Sequence, residues 1–292
     1  MPLPKLKKTQ KHSWKFTAIG TQWEISSVLE ITPSQRIVIE QVISEFDQIY
    51  SRFRGDSIVG EMAKTAGEYT LPHSPALFDL YDELSILTSG AVTPLVGTTL
   101  DDLGYDKNYS LTPKSTIRKA PEFSEVVRRN GEVVTILQPL SFDVGAAGKG
   151  LLVDLICSGL KASGHNEYAV DASGDVRAVG PVAEVIGLEN PFNTSEVIGT
   201  INLKNRALCA SAVNRRAWGE CHHIVDARTG VPVKDIVATW VIADTAMLAD
   251  GLATALFFVS PDTLKSRYNY EYARVHANGM VEYSDYFKGG MF

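Results

Sequence analysis

Two hydrophobic periods alternate along the chain. Trp14, Phe16 and Ala18 take every second position before Gly20-Thr21, so residues 14–30 read as two strands around a turn. Ile31-Thr32-Pro33-Ser34 then opens a helix, Pro being favourable in the first turn. Its apolar face runs through Ile37, Val38, Val42, Ile43, Phe46, Ile49 and Tyr50. A second helix starts at Ser74-Pro75, carries Leu77, Leu80, Tyr81, Leu84 and Leu87, and stops at Ser89-Gly90. Residues 91–106, with Pro94, Gly97 and Gly104, fit neither period. A strand begins at Val133, and after a turn at Pro139 a short strand ends at Asp143.

From Gly145 to Gly150 small residues lead into the amphipathic run 151–164, which closes at Gly164 as a helix does. Strands follow at Tyr168–Asp171, Val176–Val179, Glu184–Leu188, Val197–Leu203 and Ala207–Cys209, with a hairpin turn at Ser173-Gly174-Asp175. Val237, Thr239, Val241 and Ile242 mark a buried strand, and Asp244 stands where a helix N-cap is expected before Met247 to Leu256. A short helix after Ser260-Pro261 and strands near Tyr272–His276 and Met280–Tyr283 complete the chain. Helices and strands mix without regular βαβ alternation. The expected class is therefore α+β, with largely antiparallel sheets and packed helices.

Composition narrows the function. At 292 residues with 45% hydrophobic and 21% charged positions, the chain reads as an ordinary globular protein. A net charge of −6 and no basic stripe give no ground for nucleic-acid binding. The basic run Lys5–Lys11 reads as part of a flexible tail over residues 1–12, leaving 13–292 as one domain. Cys157, Cys209 and Cys221 are too scattered for a disulfide framework or a zinc site. No apolar run approaches the length of a membrane span, and no leader or lipid-anchor Cys precedes the first strand, so the expected location is cytoplasmic.

Three stretches carry candidate chemistry. Asp250 and Thr254 lie four apart and share one helix face among Leu, Ala and Phe. Such oxygen donors suit a hard cation such as Mg²⁺, although an Asp/Thr pair alone also fits a solvated face. The loop from Asp143 to Gly150 lets backbone approach a ligand and leads into a helix N-terminus, as a phosphate or metal site or a tight structural turn would require. It is neither a Walker loop nor GxGxxG. His222-His223 precede an Asp226-Ala227-Arg228-Thr229-Gly230 turn, and strand alternation allows only one of the pair to face a given pocket. A histidine beside a metal-bound phosphate can act as a general base.

In this order the pieces resemble the FAD:protein FMN transferases, the ApbE-like flavin transferases. Ala18-Ile19-Gly20-Thr21 is similar to the family's opening M-G-T turn, and Ser51 to Ser57 to the segment ending in D-S. Ser89 to Gly97 with Leu103-Gly104-Tyr105 resembles the S-G-G-A-F-D-P block and its partner. Asp143 to Gly150 resembles D-L-G-G-I-A-K-G, and Asp171 to Asp175 the N-x-G-G-D turn. His223 to Pro232 is similar to H-I-I-D-P-x-T-G-x-P, and Met247 to Thr254 to M-x-A-D-A-L-A-T.

The resemblance implies Mg²⁺ held by Asp250, Thr254 and the Ala146 carbonyl. It implies FAD contacts at Ile19, Phe53, Ala91, Val92, Thr93, Asp143, Lys149 and Val225. It assigns His223, with Asp250, to catalysis. The implied reaction joins the FMN half of FAD to a Ser or Thr hydroxyl of an acceptor protein and releases AMP. Water in place of that hydroxyl would make the site an FAD pyrophosphatase, and loss of turnover would leave an FAD-binding protein. Thr93 stands where the family usually has Asp, Ala146 where it has Gly, and Asn214 near its usual Tyr.

Overall fold

A computed structural model describes residues 11–292. Its frame is an eight-stranded antiparallel sheet whose strands, labelled in chain order, are also neighbours in that order. They are β1 (His12–Ala18), β2 (Thr21–Ser27), β3 (Tyr168–Asp171), β4 (Asp175–Val179), β5 (Ala207–Ala212), β6 (Ile236–Ala243), β7 (Glu271–His276) and β8 (Val281–Tyr283). Four longer helices matter to the site: α1 (Pro33–Tyr50), α2 (Ser74–Leu87), α3 (Gly148–Ala162) and α4 (Ala246–Ala255). The class expected from the two periods, helices packed on antiparallel sheets, is the one observed.

Side-chain alternation on the sheet separates two cores. On one face Val170, Cys209, Val241 and Ala243 join Leu77, Leu152, Ile156 and Leu252 from the helices. On the other, Val176, Leu208, Trp240 and Ile242 pack beneath Leu188, Ile201 and Leu203 of a hairpin formed by Glu184–Asn190 and Asn193–Leu203. Strand β6 is therefore buried on both faces, which explains its nearly continuous apolar run. Between β2 and β3 the chain makes its longest excursion, which carries α1, α2, α3 and a separate three-stranded sheet.

Several boundaries differ from the pattern-based reading. His12 already belongs to β1 and Lys11 pairs with Glu184, so the tail ends sooner than residue 12. The remainder of that tail, residues 1–10, lies outside the described residues. Thr32 and Gln35 close a capping box at the start of α1, but Ile37 and Val38 face outward and the buried face is Ile39, Phe46 and Tyr50. The stretch after Gly90 holds a 3₁₀ turn (Pro94–Val96) and a short helix (Gly97–Asp102), both too brief to show a period. No strand forms before Asp143, whose N–H instead donates to the Pro94 carbonyl at 2.7 Å.

The expected cap of α4 is also displaced. Asp244 is exposed, and Thr245 takes the N-cap position, accepting from Leu248 N–H at 3.2 Å. Asp154, from the middle of α3, accepts the next free N–H groups, Ala246 at 3.0 Å and Met247 at 2.9 Å. One helix thus supplies the anion that the start of another requires.

Candidate functional site

A cleft of about 1210 Å³ opens beside the sheet. The β1–β2 turn, the β3–β4 turn, the end of β5, the loop before α3, and α4 all contribute to its wall. It exceeds the roughly 300–1,000 Å³ of ordinary ligand pockets, which leaves room for a dinucleotide. Every residue that the resemblance assigns to the cation, to FAD or to catalysis lines it, whereas His222 does not.

On the α4 side the cleft offers oxygen. Asp250 is buried, and Gly150 N–H donates to its Oδ2 at 3.0 Å. The approach depends on glycine at 150, since a Cβ there would sit 2.2 Å from the Ala246 carbonyl oxygen. One turn on, Thr254 also lines the cleft, as does Ala146 of the loop before α3. Asp250 Oδ1, Thr254 Oγ1 and the Ala146 carbonyl accept no hydrogen bond among the described residues. The peptide N–H of Ala146 is held by Tyr81 Oη, 3.2 Å below the loop.

No cluster of three His, Cys, Asp or Glu that could hold a metal occurs among the described residues. The available set is therefore one carboxylate, one hydroxyl and one carbonyl. All three are hard oxygen donors free of competing partners, the kind of incomplete set that Mg²⁺ accepts when water and phosphate oxygens fill its other positions. Burial, and then the negative charge of Asp175, push the Asp250 carboxyl well above its usual range. A bound cation would oppose that shift and favour the ionised form.

Lys149 lines the same wall. Its Nζ donates to the Ala172 carbonyl at 3.0 Å and lies 3.1 Å from Asp175 Oδ2. Burial pulls Lys149 down, but the Asp175 and Asp250 charges outweigh it and hold the ammonium protonated. Asp143 is engaged by protein on both oxygens: Gly145 N–H donates to Oδ1 at 2.7 Å and Arg52 Nε to Oδ2 at 2.5 Å. Burial works against the Asp143 carboxylate, yet Arg52 keeps it below the usual range.

Aromatic and apolar side chains form a further part of the lining. Phe53 stacks on Tyr109 with ring centroids 5.3 Å apart, and Tyr105 stacks on Trp218 at 5.5 Å. The Arg52 guanidinium sits 4.3 Å over Phe53 and 5.0 Å over Tyr105 while pairing with Asp101 and Asp143. Ala91, Val92 and Val225 are buried at the cleft surface, and Thr93 uses its hydroxyl to accept from Leu95 N–H at 3.3 Å. Ile19 adopts a left-handed backbone with φ 41° at the β1–β2 turn, a conformation that costs a β-branched residue about 1–3 kcal/mol.

The two histidines separate, although the short strand Cys221–His222 ends before His223. His222 Nε2 contacts the Val233 carbonyl at 2.8 Å and its Nδ1 accepts from Ile224 N–H, so it serves the local turn. His223 lines the cleft, and its Nδ1 is buried without a hydrogen-bond partner among the described residues. Burial first, and then the Arg216 charge, lower its pKa to about 3, so the imidazole is neutral at physiological pH.

Arg52, Tyr105 and Asp175 fall within the family-like blocks without a role being assigned to them, and Arg216 and Trp218 fall outside those blocks. An isolated Arg or Asp looks like surface in a sequence, and nothing in its spacing tells that the fold buries it.

Known proteins resemble this chain. The FAD:protein FMN transferase of Haemophilus influenzae is 25% identical over 273 residues, covering 84% of this chain and 74% of that protein. The solved ApbE protein of Thermotoga maritima superposes with a TM-score of 0.81 at 23% identity, over 96% of this chain and 98% of that one. The apo form of Pseudomonas stutzeri flavinyl transferase ApbE gives 0.78 at 19% identity, over 99% and 100%. These two structures share the fold. The sequence model of the ApbE family matches residues 19–277, and the chain belongs to that family.

Proposed function

We propose that this protein is an FAD:protein FMN transferase, working with Mg²⁺ on a Ser or Thr hydroxyl of an acceptor protein. The observation that carries the reading is one cleft lined by three uncommitted oxygen donors, Asp250, Thr254 and the Ala146 carbonyl, and by a neutral His223 whose Nδ1 has no partner among the described residues. Family membership and the Haemophilus influenzae relative support FAD as the substrate.

Mg²⁺, held by those donors, would neutralise charge developing on the FAD pyrophosphate. The remaining roles belong to the chain. The aromatic wall from Phe53 to Trp218 offers flat apolar surface for the ring system. Lys149 adds positive charge near the phosphates. His223, neutral at working pH, takes the proton of the acceptor hydroxyl as its oxygen attacks the FMN-side phosphorus. The new P–O bond forms as the bond to the AMP-side oxygen breaks. AMP leaves and FMN remains joined through a phosphoester.

The test is incubation with FAD, Mg²⁺ and a panel of candidate acceptors, followed by denaturing electrophoresis. A fluorescent acceptor band is expected, with AMP in equal amount. His223→Ala is expected to slow labelling by about 10²–10⁴-fold. Free FMN and AMP formed equally fast without any acceptor would make the protein a pyrophosphatase, and FAD binding with no AMP would leave a flavin-binding protein.

A further inference from the structure

Beneath the oxygen-donor wall lies a buried charge that the proposed reaction does not use. Asp175, the first residue of β4, is fully buried, and neither of its side-chain oxygens has a hydrogen-bond partner among the described residues. Its one close charged contact there is Lys149 Nζ at 3.1 Å. Lys149 pairs with Asp175 and not with Asp250, although Asp250 is close enough for the two charges to influence each other. The Ala172 carbonyl, three residues before Asp175, takes a second Nζ donor and anchors the ammonium to the β3–β4 turn.

This arrangement has a cost. A buried carboxylate whose one charged partner is a single ammonium is expensive, and a neutral residue would pack there with less penalty. The neighbours explain what is gained. Asp250 is the only acidic donor among the three candidate cation ligands, and an ammonium within reach would compete directly for its free oxygen. The other nearby titratable group, the Cys209 thiol, is kept protonated by burial and by the two carboxylates, so it can neutralise neither Lys149 nor Asp250.

We infer that Asp175 is a positioning residue that holds Lys149 away from Asp250, leaving the Asp250 carboxylate open to a divalent cation. The inference rests on the reading of Asp250 as a cation ligand. Without Asp175, Lys149 swings to the nearest remaining carboxylate and the cation must displace it. Removing Lys149 as well abolishes the competitor.

The experiment is a double-mutant cycle read by cation affinity, not by turnover. Mn²⁺ is titrated into the full chain with saturating FAD and no acceptor, and free Mn²⁺ is counted by electron paramagnetic resonance. FAD binding is followed separately by flavin fluorescence. Asp175→Asn is expected to weaken Mn²⁺ binding by roughly 10–100-fold, the range typical of residues that orient a ligand. Asp175→Asn with Lys149→Met is expected to regain most of that loss. The cycle is repeated with Asp175→Ser, with and without Lys149→Met, in case the amide does not fold. An Asp175 variant that binds Mn²⁺ like the wild type, or a double variant as weak as the single one, overturns the inference while leaving the cation site standing. A wild-type protein that binds FAD but no Mn²⁺ overturns the cation site itself, and this inference with it.

Discussion

His223 shows how a single side chain can couple function to stability. Its folded pKa of about 3 lies below the ordinary histidine value of roughly 6.5 because burial and Arg216 disfavour the charged ring. As pH falls through the ordinary value, the unfolded chain takes up a proton that the folded chain refuses. Stability is therefore unaffected above about pH 6.5 and declines from there toward pH 3. Urea midpoints measured at pH 7.5 and 5.0 should fall further for the wild type than for His223→Gln. Subtracting the variant cancels the carboxylates that titrate in the same window, and equal losses in the two proteins would contradict the burial argument. The sequence allowed only one of the pair to face the cleft without deciding which, and it was the resemblance of the His-Ile-Val-Asp block that pointed to His223. Its charge state was not legible, since Arg216 and the cleft wall come from elsewhere in the chain. Arg52 was missed for the same reason: two carboxylates and two aromatic rings define its place, and those partners lie up to 91 residues away.

At the scale of elements, the contact between α3 and α4 sets the site. Gly150 lets the two helices meet closely enough for its N–H to reach Asp250, and Asp154 one turn later caps α4. Gly150→Ala forces a methyl against the Ala246 carbonyl, so a loss of about 1–3 kcal/mol is expected in urea unfolding. Gly159, in the same helix, has open space around it, and Gly159→Ala should instead add about 0.5–1 kcal/mol through helix propensity. Opposite signs separate the helix contact from propensity, whereas equal effects would remove the packing argument. The period of each helix was readable from its apolar positions. The exposure of Ile37 and Val38 was not, because α1 carries more apolar positions than its buried face of Ile39, Phe46 and Tyr50 uses.

At the scale of the whole molecule, one sheet divides two cores. Trp23 reports the helix side and Trp240 the hairpin side, and β5 and β6 contribute side chains to both. Because the strands are shared, neither core keeps its floor once the other opens. Variants retaining only Trp23 or only Trp240, with the other tryptophans changed to Phe, should lose native fluorescence at the same urea concentration, coincident with far-UV circular dichroism. Separate midpoints would show two independent units. Alternating and helical periods foretold an antiparallel sheet with packed helices, since those periods are local properties of strands and helices. The order of the family-like blocks marked the cleft residues, since motif residues need no coordinates to be recognised. Which face each strand turned to which core, which helix capped α4, and which carboxylate held Lys149 depended on groups far apart in sequence. Those outcomes belong to packing and buried charge, and they exist only once the chain has closed on itself.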